Sequence, residues 1–245
     1  MCGRYYVPDE DSAADLREII EQINRRANAG PVVKTGEIAP SDVAPVLANN
    51  RNLAATPFAM RWGYRLGNGK LLFNARNETA DAKALFRDGM RQRRCLVPAA
   101  HYFEWEKRGK DRIKYAIRPG GASVMYMAGI YRLENGAPVF TILTREPAAA
   151  ISFIHNRMPV ILPKEAAGDW LNIRYDAGDV LAGACRMWSA GWRKLRWAGV
   201  IFVSVARSRF HMESRQGSSL ALTASICFGD FQMLSNVRPG ALRRR

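Results

Sequence analysis

What limits the folds open to this chain is a succession of short β-forming stretches through its middle. Residues 94–98, 101–107, 112–118, 123–131 and 138–144 are rich in β-branched and aromatic side chains, the types that pack well on a pleated surface. From Leu53 to Tyr131 the reading is mostly short strands, with glycine turns such as Gly67-Asn68-Gly69. Short strands repeated in this way predict a barrel-like, mostly antiparallel curved sheet. Helical spacing is sparse. Leu16, Ile19, Ile20, Ile23 and Ala27 predict a helix over 11–28, capped by Asp11 or Ser12 and ended by Gly30. Further helices are expected at 80–92, at 147–154 and at 163–171, the last with Pro163 at its first turn. The expected class is α+β, a single domain with a few peripheral helices.

Composition narrows the setting. Of 245 residues, 48% are apolar, enough for a core and too many for wholesale disorder. There is no run of 18 apolar residues, so no transmembrane helix and no membrane partner are expected. Met1-Cys2-Gly3-Arg4-Tyr5-Tyr6 has no apolar signal stretch, which predicts a cytoplasmic protein. Cys2, Cys95, Cys185 and Cys227 form no Cys-x-x-Cys pair, and His101, His155 and His211 form no local metal motif. No metal is expected, and the cysteine usage fits a reducing compartment.

The net charge of +15 predicts a polyanionic partner. It is unevenly spread, +6 over residues 1–185 and +9 over 186–245. Beyond 186 the patterning degrades. Trp188, Trp192 and Trp197 follow no period, Ser, Arg, Gly and Ala dominate, and Arg243-Arg244-Arg245 ends the chain. One strand is expected there, Val200–Val205. Residues 1–185 are therefore read as the domain and 186–245 as an atypical basic tail, either diverged or the product of a shifted reading frame.

Four places could carry chemistry. Once Met1 is removed, Cys2 presents an amine and a thiol on adjacent carbons. Their pKa values, about 8 and about 8.5, leave both partly nucleophilic near neutrality. A 1,2-aminothiol traps aldehydes as a five-membered thiazolidine; the plainer alternative is a frayed terminus. In Phe73-Asn74-Ala75-Arg76-Asn77-Glu78-Thr79, strand alternation puts Asn74 and Arg76 on one face. An amide beside a guanidinium suits a phosphate or a sugar, and equally a polar hairpin edge. In Tyr102-Phe103-Glu104-Trp105-Glu106, alternation sets Tyr102, Glu104 and Glu106 against Phe103 and Trp105. Burial would raise the Glu104 pKa for acid–base work, whereas a solvated face would give it no role. His155, before Asn156-Arg157-Met158-Pro159, ends an apolar stretch where a loop could present a proton donor or hold a structural imidazole.

Together these blocks resemble one family. Met1-Cys2-Gly3-Arg4, Ala39-Pro40, Trp62-Gly63, Asn74-Ala75-Arg76-x-Glu78-Thr79, Arg94-Cys95-Leu96-Val97-Pro98, Tyr102-Phe103-Glu104-Trp105 and His155-x-Arg157-Met158-Pro159 occur in the order and spacing of the SOS-response-associated peptidase (SRAP) family. The resemblance spans roughly residues 2–183.

That resemblance implies a DNA-repair protein that binds abasic sites in single-stranded DNA and crosslinks to them through the N-terminal cysteine. It implies Cys2 as nucleophile, Asn74 bonding the opened sugar or the cysteine amine, Glu104 shuttling protons and His155 assisting ring opening. It further implies Arg4, Arg76 and Arg157 on phosphates, with Pro40, Trp62 and Thr144 in the DNA groove. Peptidase activity releasing Met1, lyase-like chemistry, a monomer at the nucleoid, and no cofactor are implied as well. Two departures stand beside the match. Ile38 precedes Ala39-Pro40 where the family carries Asn, and the family's last strands have only a faint echo in Val203-Ser204-Val205. The competing expectations are a non-covalent single-stranded-DNA module, a member inactivated by its abnormal end, and a papain-like protease using Cys2 and His155.

Overall fold

The structure is a computed structural model and describes residues 2–8, 14–27, 33–119, 123–191 and 201–202. In chain order the first elements are β1 (Arg4–Val7), α1 (Ala14–Arg26), β2 (Gly36–Ile38), β3 (Val43–Asn49) and β4 (Ala55–Trp62). A small hairpin of β5 (Tyr64–Arg65) and β6 (Leu71–Leu72) leads to β7 (Asn74–Arg76), α2 (Asn77–Ala80) and α3 (Ala84–Gln92). The long strands follow: β8 (Arg94–Ala99), β9 (His101–Arg108), β10 (Asp111–Ile117), β11 (Met125–Glu134) and β12 (Ala137–Arg145). The last elements are β13 (Met158–Pro159), β14 (Ile161–Leu162), α4 (Lys164–Leu171), α5 (Ala177–Gly191) and β15 (Ile201–Phe202).

Strands β12, β4, β3, β8 and β11 pair in a ring that closes when β11 returns to β12. All of these pairings are antiparallel except β12 with β4. Alternation sorts their side chains. Val46, Met60, Trp62, Cys95, Val97, Met127, Phe140 and Ile142 fill the interior. Leu96, Ala128, Ile130, Val139 and Leu143 point outward, under Phe86 and Met90 of α3, Trp170 of α4 and Leu181 of α5. Strand β8 is thus buried along its whole length. Gly129 lets β11 pass close to its neighbours. A Cβ there would stand 3.0 Å from Cys95 Sγ and 3.1 Å from the Thr141 carbonyl oxygen.

A second antiparallel sheet, in the order β15-β10-β9-β1-β2, adds Tyr5, Val7, Ile38, Tyr102, Tyr115 and Ile117 to the same interior. Along β12, β4 gives way to β7 on one edge, while β13 takes the other edge beyond β11. The end of β12 is therefore flanked by two short strands, and the site lies there. The α+β class with a barrel-like sheet holds.

Three local readings change. The helix expected over 147–154 is a 3₁₀ turn at Ala149–Ile151. Its i→i+3 bonds, such as Ile154 N–H to Ile151 O at 3.0 Å, bring both Ile151 and Ile154 into the core. The helix expected at 80–92 starts at Asn77 and breaks between α2 and α3. Helix α5 had no counterpart in the expectations, although Asp176 Oδ1 caps it by accepting the Asp179 N–H at 3.1 Å; it runs across position 186, where the composition shifts. Of the expected strand Val200–Val205, Ile201 and Phe202 form β15 on β10. The caps Asp11 and Ser12, the stop at Gly30, and the tail from 203 onward, with Val203-Ser204-Val205, lie outside the described residues. Among the described residues no helix is long and apolar enough to cross a membrane, and no cluster of three His, Cys, Asp or Glu could hold a metal.

Candidate active site

Strand β1 lies between β9 and β2 in the second sheet. Its register with β9 sets Arg4 opposite Phe103 and Tyr5 opposite Tyr102, so the segment before Arg4 runs toward Glu104. Tyr5 points into the core and so does Cys2, which is fully buried. The Cys2 thiol lies 3.8 Å from the Arg4 carbonyl oxygen.

Strand β9 alternates as its sequence predicts. Tyr102 and Glu104 are buried. On the other face His101 stacks on Tyr6 at 5.0 Å, and Lys114 lies over the rings of Phe103 and Trp105. Glu106 accepts a 2.6 Å hydrogen bond from the Tyr115 hydroxyl and pairs with Arg108. Burial pushes the Glu104 carboxyl above the usual carboxylate range. Burial also pushes up the Cys2 thiol, with the charge of nearby Glu104 adding to the effect. Burial thus works against the charged form of both groups.

Strand β7 supplies the link from Cys2 to open space. Asn74 Nδ2 donates to the Cys2 carbonyl oxygen at 2.8 Å. Its Oδ1 is buried with no hydrogen-bond partner among the described residues. A cavity of about 320 Å³ opens beside it, lined by Asn74, Arg76, Thr144, His155, Asn156 and Arg157. β7 pairs in parallel with β12, Asn74 opposite Ile142 and Arg76 opposite Thr144, and Pro159 of β13 flanks Thr144 on its other side. The buried Thr144 hydroxyl donates to the Ala75 carbonyl at 3.3 Å.

His155 follows the 3₁₀ turn, where the burial of Ile154 anchors it. The Arg157 backbone N–H donates to His155 Nδ1 at 3.0 Å. The neutral ring then carries its proton on Nε2. Burial lowers the His155 pKa, which keeps the ring neutral at physiological pH.

The remaining expected residues are placed differently from one another. Arg76 is exposed. Arg4 is half-exposed, its Nε 3.7 Å from Glu37. Arg157 forms a two-pronged pair with Glu78, at 2.9 and 2.8 Å. Pro40 is half-buried in a tight turn where Asp42 N–H reaches the Ala39 carbonyl at 3.1 Å. Ser41 adopts φ 79° there. Trp62 is a correction: it is wholly enclosed and has no surface with which to touch DNA. Its indole N–H instead donates to the Phe73 carbonyl at 2.8 Å, fastening the residue just before Asn74. Two lining or bracing residues, Asn156 and Glu78, drew no role from the sequence. Their place inside the His155 and Asn74 motifs was the signal that could have found them.

The chain matches the SOS response associated peptidase (SRAP) family over residues 1–200. It is 30% identical over 203 residues to the abasic site processing protein YoqW of Bacillus subtilis, covering 78% of this chain and 88% of that one. It is 28% identical over 196 residues to the abasic site processing protein YedK of Escherichia coli, covering 76% and 87%. Among solved structures, a protein from Bacteroides thetaiotaomicron shares the fold with a TM-score of 0.61 at 22% identity, covering 75% of this chain and 86% of that one. A phage-related protein from Bordetella bronchiseptica gives 0.58 at 25% identity, covering 75% and 89%.

Proposed function

Because the chain belongs to the SOS response associated peptidase family, we propose that it processes abasic sites in single-stranded DNA and crosslinks to them through Cys2. The observation that carries this reading is the 2.8 Å bond from Asn74 to the Cys2 carbonyl. It ties the aminothiol residue to a cavity that His155 also lines.

The chemistry needs Met1 removed, so that Cys2 bears a free amine. His155 Nε2–H donates to the deoxyribose ring oxygen and favours the open aldehyde. The Cys2 amine adds to the aldehyde carbon. The protonated form of Glu104, which burial favours, gives its proton to the hydroxyl that leaves as water, and a protonated Schiff base (iminium) results. The Cys2 sulfur then adds to the same carbon of the iminium, and the thiol proton returns to the Glu104 carboxylate. The net change is one water released and a thiazolidine formed. A buried thiol disfavoured as thiolate suits this order, with the amine attacking first. Closure removes the iminium that would drive β-elimination, so the strand stays intact and lyase chemistry is suppressed.

Release of Met1 is assigned to the same groups, Cys2, Glu104 and His155. Single strands are preferred because an abasic nucleotide must leave the stack to reach a recessed residue. Arg76, Arg4 and Arg157 are the phosphate-facing cations, and the protein acts as a monomer in the cytoplasm, at the nucleoid.

Incubation with a uracil-glycosylase-treated single-stranded oligonucleotide, followed by denaturing electrophoresis, tests this. Wild type should give a heat-stable shifted band and an intact mass lacking Met1; Cys2→Ala should give no band. A Cys2→Ala band equal to wild type would overturn the covalent mechanism. Shifted complexes in native gels alone would mark a non-covalent binder.

A further inference from the structure

We propose that Glu78 is a positioning residue for His155, acting through Arg157. The proposal rests on the abasic-site reading above for the reaction it serves, and on geometry alone for the positioning itself.

Glu78 sits in α2, which continues directly from β7, two residues after Arg76. Its carboxylate takes both ends of the Arg157 guanidinium, Nη1 to Oε1 at 2.9 Å and Nη2 to Oε2 at 2.8 Å. Nη2 also donates to the Thr144 carbonyl at 2.5 Å. The Arg157 side chain is 11% exposed, against 44% for Glu78, so the clamp closes over the guanidinium from the solvent side. Paired forks of this kind fix the plane as well as the distance.

The same residue's backbone N–H holds His155 Nδ1. Arg157 is thus pinned by its side chain to α2 and β12, while its main chain orients the imidazole two residues away. The Glu78 carboxyl is consistent with this. Partial burial alone would raise it, but the hydrogen bonds from Arg157 outweigh that and hold it below the usual carboxylate range. Glu78 also occupies the guanidinium face that a DNA phosphate would take. The charge of Arg157 is therefore compensated before DNA arrives, and its first service is to the loop at 155–157.

A positioning role separates binding from chemistry. In Glu78→Gln, crosslinking at saturating abasic DNA should slow roughly tenfold, a fraction of what a general acid contributes. Affinity for an oligonucleotide carrying tetrahydrofuran, which lacks the aldehyde, should be unchanged or tighter, since Arg157 loses its counter-charge. Nitrogen-15 spectra of the DNA-free protein should show His155 moving from a single Nε2–H tautomer to a mixture. Glu78→Asp keeps the charge one methylene short and should fall between. An unchanged tautomer overturns the proposal whatever the rate does, and so does a shifted tautomer with an unchanged rate. Failure of the wild type to crosslink would instead sink the abasic-site reading, while the DNA-free spectra still decide the positioning.

Discussion

Asn74 shows how much one buried amide can decide. Its donor half is spent on the Cys2 carbonyl. Its acceptor half is buried without a partner among the described residues, a state that proteins seldom leave uncompensated. Under the proposed chemistry, that acceptor faces the new amine or a sugar hydroxyl. Asn74→Asp removes the donor and sets an oxygen against the Cys2 carbonyl. Crosslinking should fall on the order of 100-fold, with a stability loss of about 1–3 kcal/mol; single-turnover gels and urea melts check the two separately. His101 carries a pH signature away from the site. Burial, with Arg118 and Lys114 adding to it, depresses its pKa to about 4. The folded state thus binds the proton later than the unfolded chain does. Its contribution is present above about pH 6.5 and is lost as pH falls from there through about 4. Thermal melts should show His101→Phe, which keeps the stack on Tyr6, losing less stability than wild type between pH 7 and pH 4.

The elements define the site by where they stop. β4 gives up its place beside β12 after Phe140, and β7 takes over from Ile142. That substitution brings Asn74 and Arg76 alongside Thr144. Trp62 at the end of β4 supports the handover from beneath by bonding Phe73. Closure of the barrel depends on tight passages such as Gly129. In Gly129→Ala the new methyl would press on the Thr141 carbonyl, a backbone atom that cannot rotate away. The variant should lose about 1–3 kcal/mol in chemical denaturation. Strand identity was legible from β-branched and aromatic content because pleated packing selects those residues. The 3₁₀ turn at Ala149–Ile151 was not legible. Its Ile151 and Ile154 spacing serves a 3₁₀ turn and an α-helix alike, and only core contacts choose between them. Helix α5 carried a usable signal in Asp176 and in the spacing of Ala177, Leu181 and Ala184.

Across the whole molecule, charge and chemistry separate. The +15 total divides into +6 over 1–185 and +9 over 186–245. Two of the three arginines assigned to phosphates already face carboxylates, Arg4 with Glu37 and Arg157 with Glu78. Much of the non-specific pull on DNA should then come from the basic end. Replacing Arg243, Arg244 and Arg245 with Gln should weaken binding to undamaged single strands and flatten the salt dependence by about 0.7 in log–log slope per lost contact. Crosslinking at saturating abasic DNA should not change. A variant with an unaltered salt slope would place the binding charge in residues 1–185 instead. Local propensity and residue order were enough to set out the strands, the α+β class and the motif blocks holding Cys2, Asn74, Glu104 and His155. It took the folded chain to enclose Trp62, to hold Arg157 with Glu78 across 79 positions, and to bring Asn74 back 72 residues to Cys2. Such contacts depend on which strands close the barrel, and no local pattern encodes a pairing between distant strand ends.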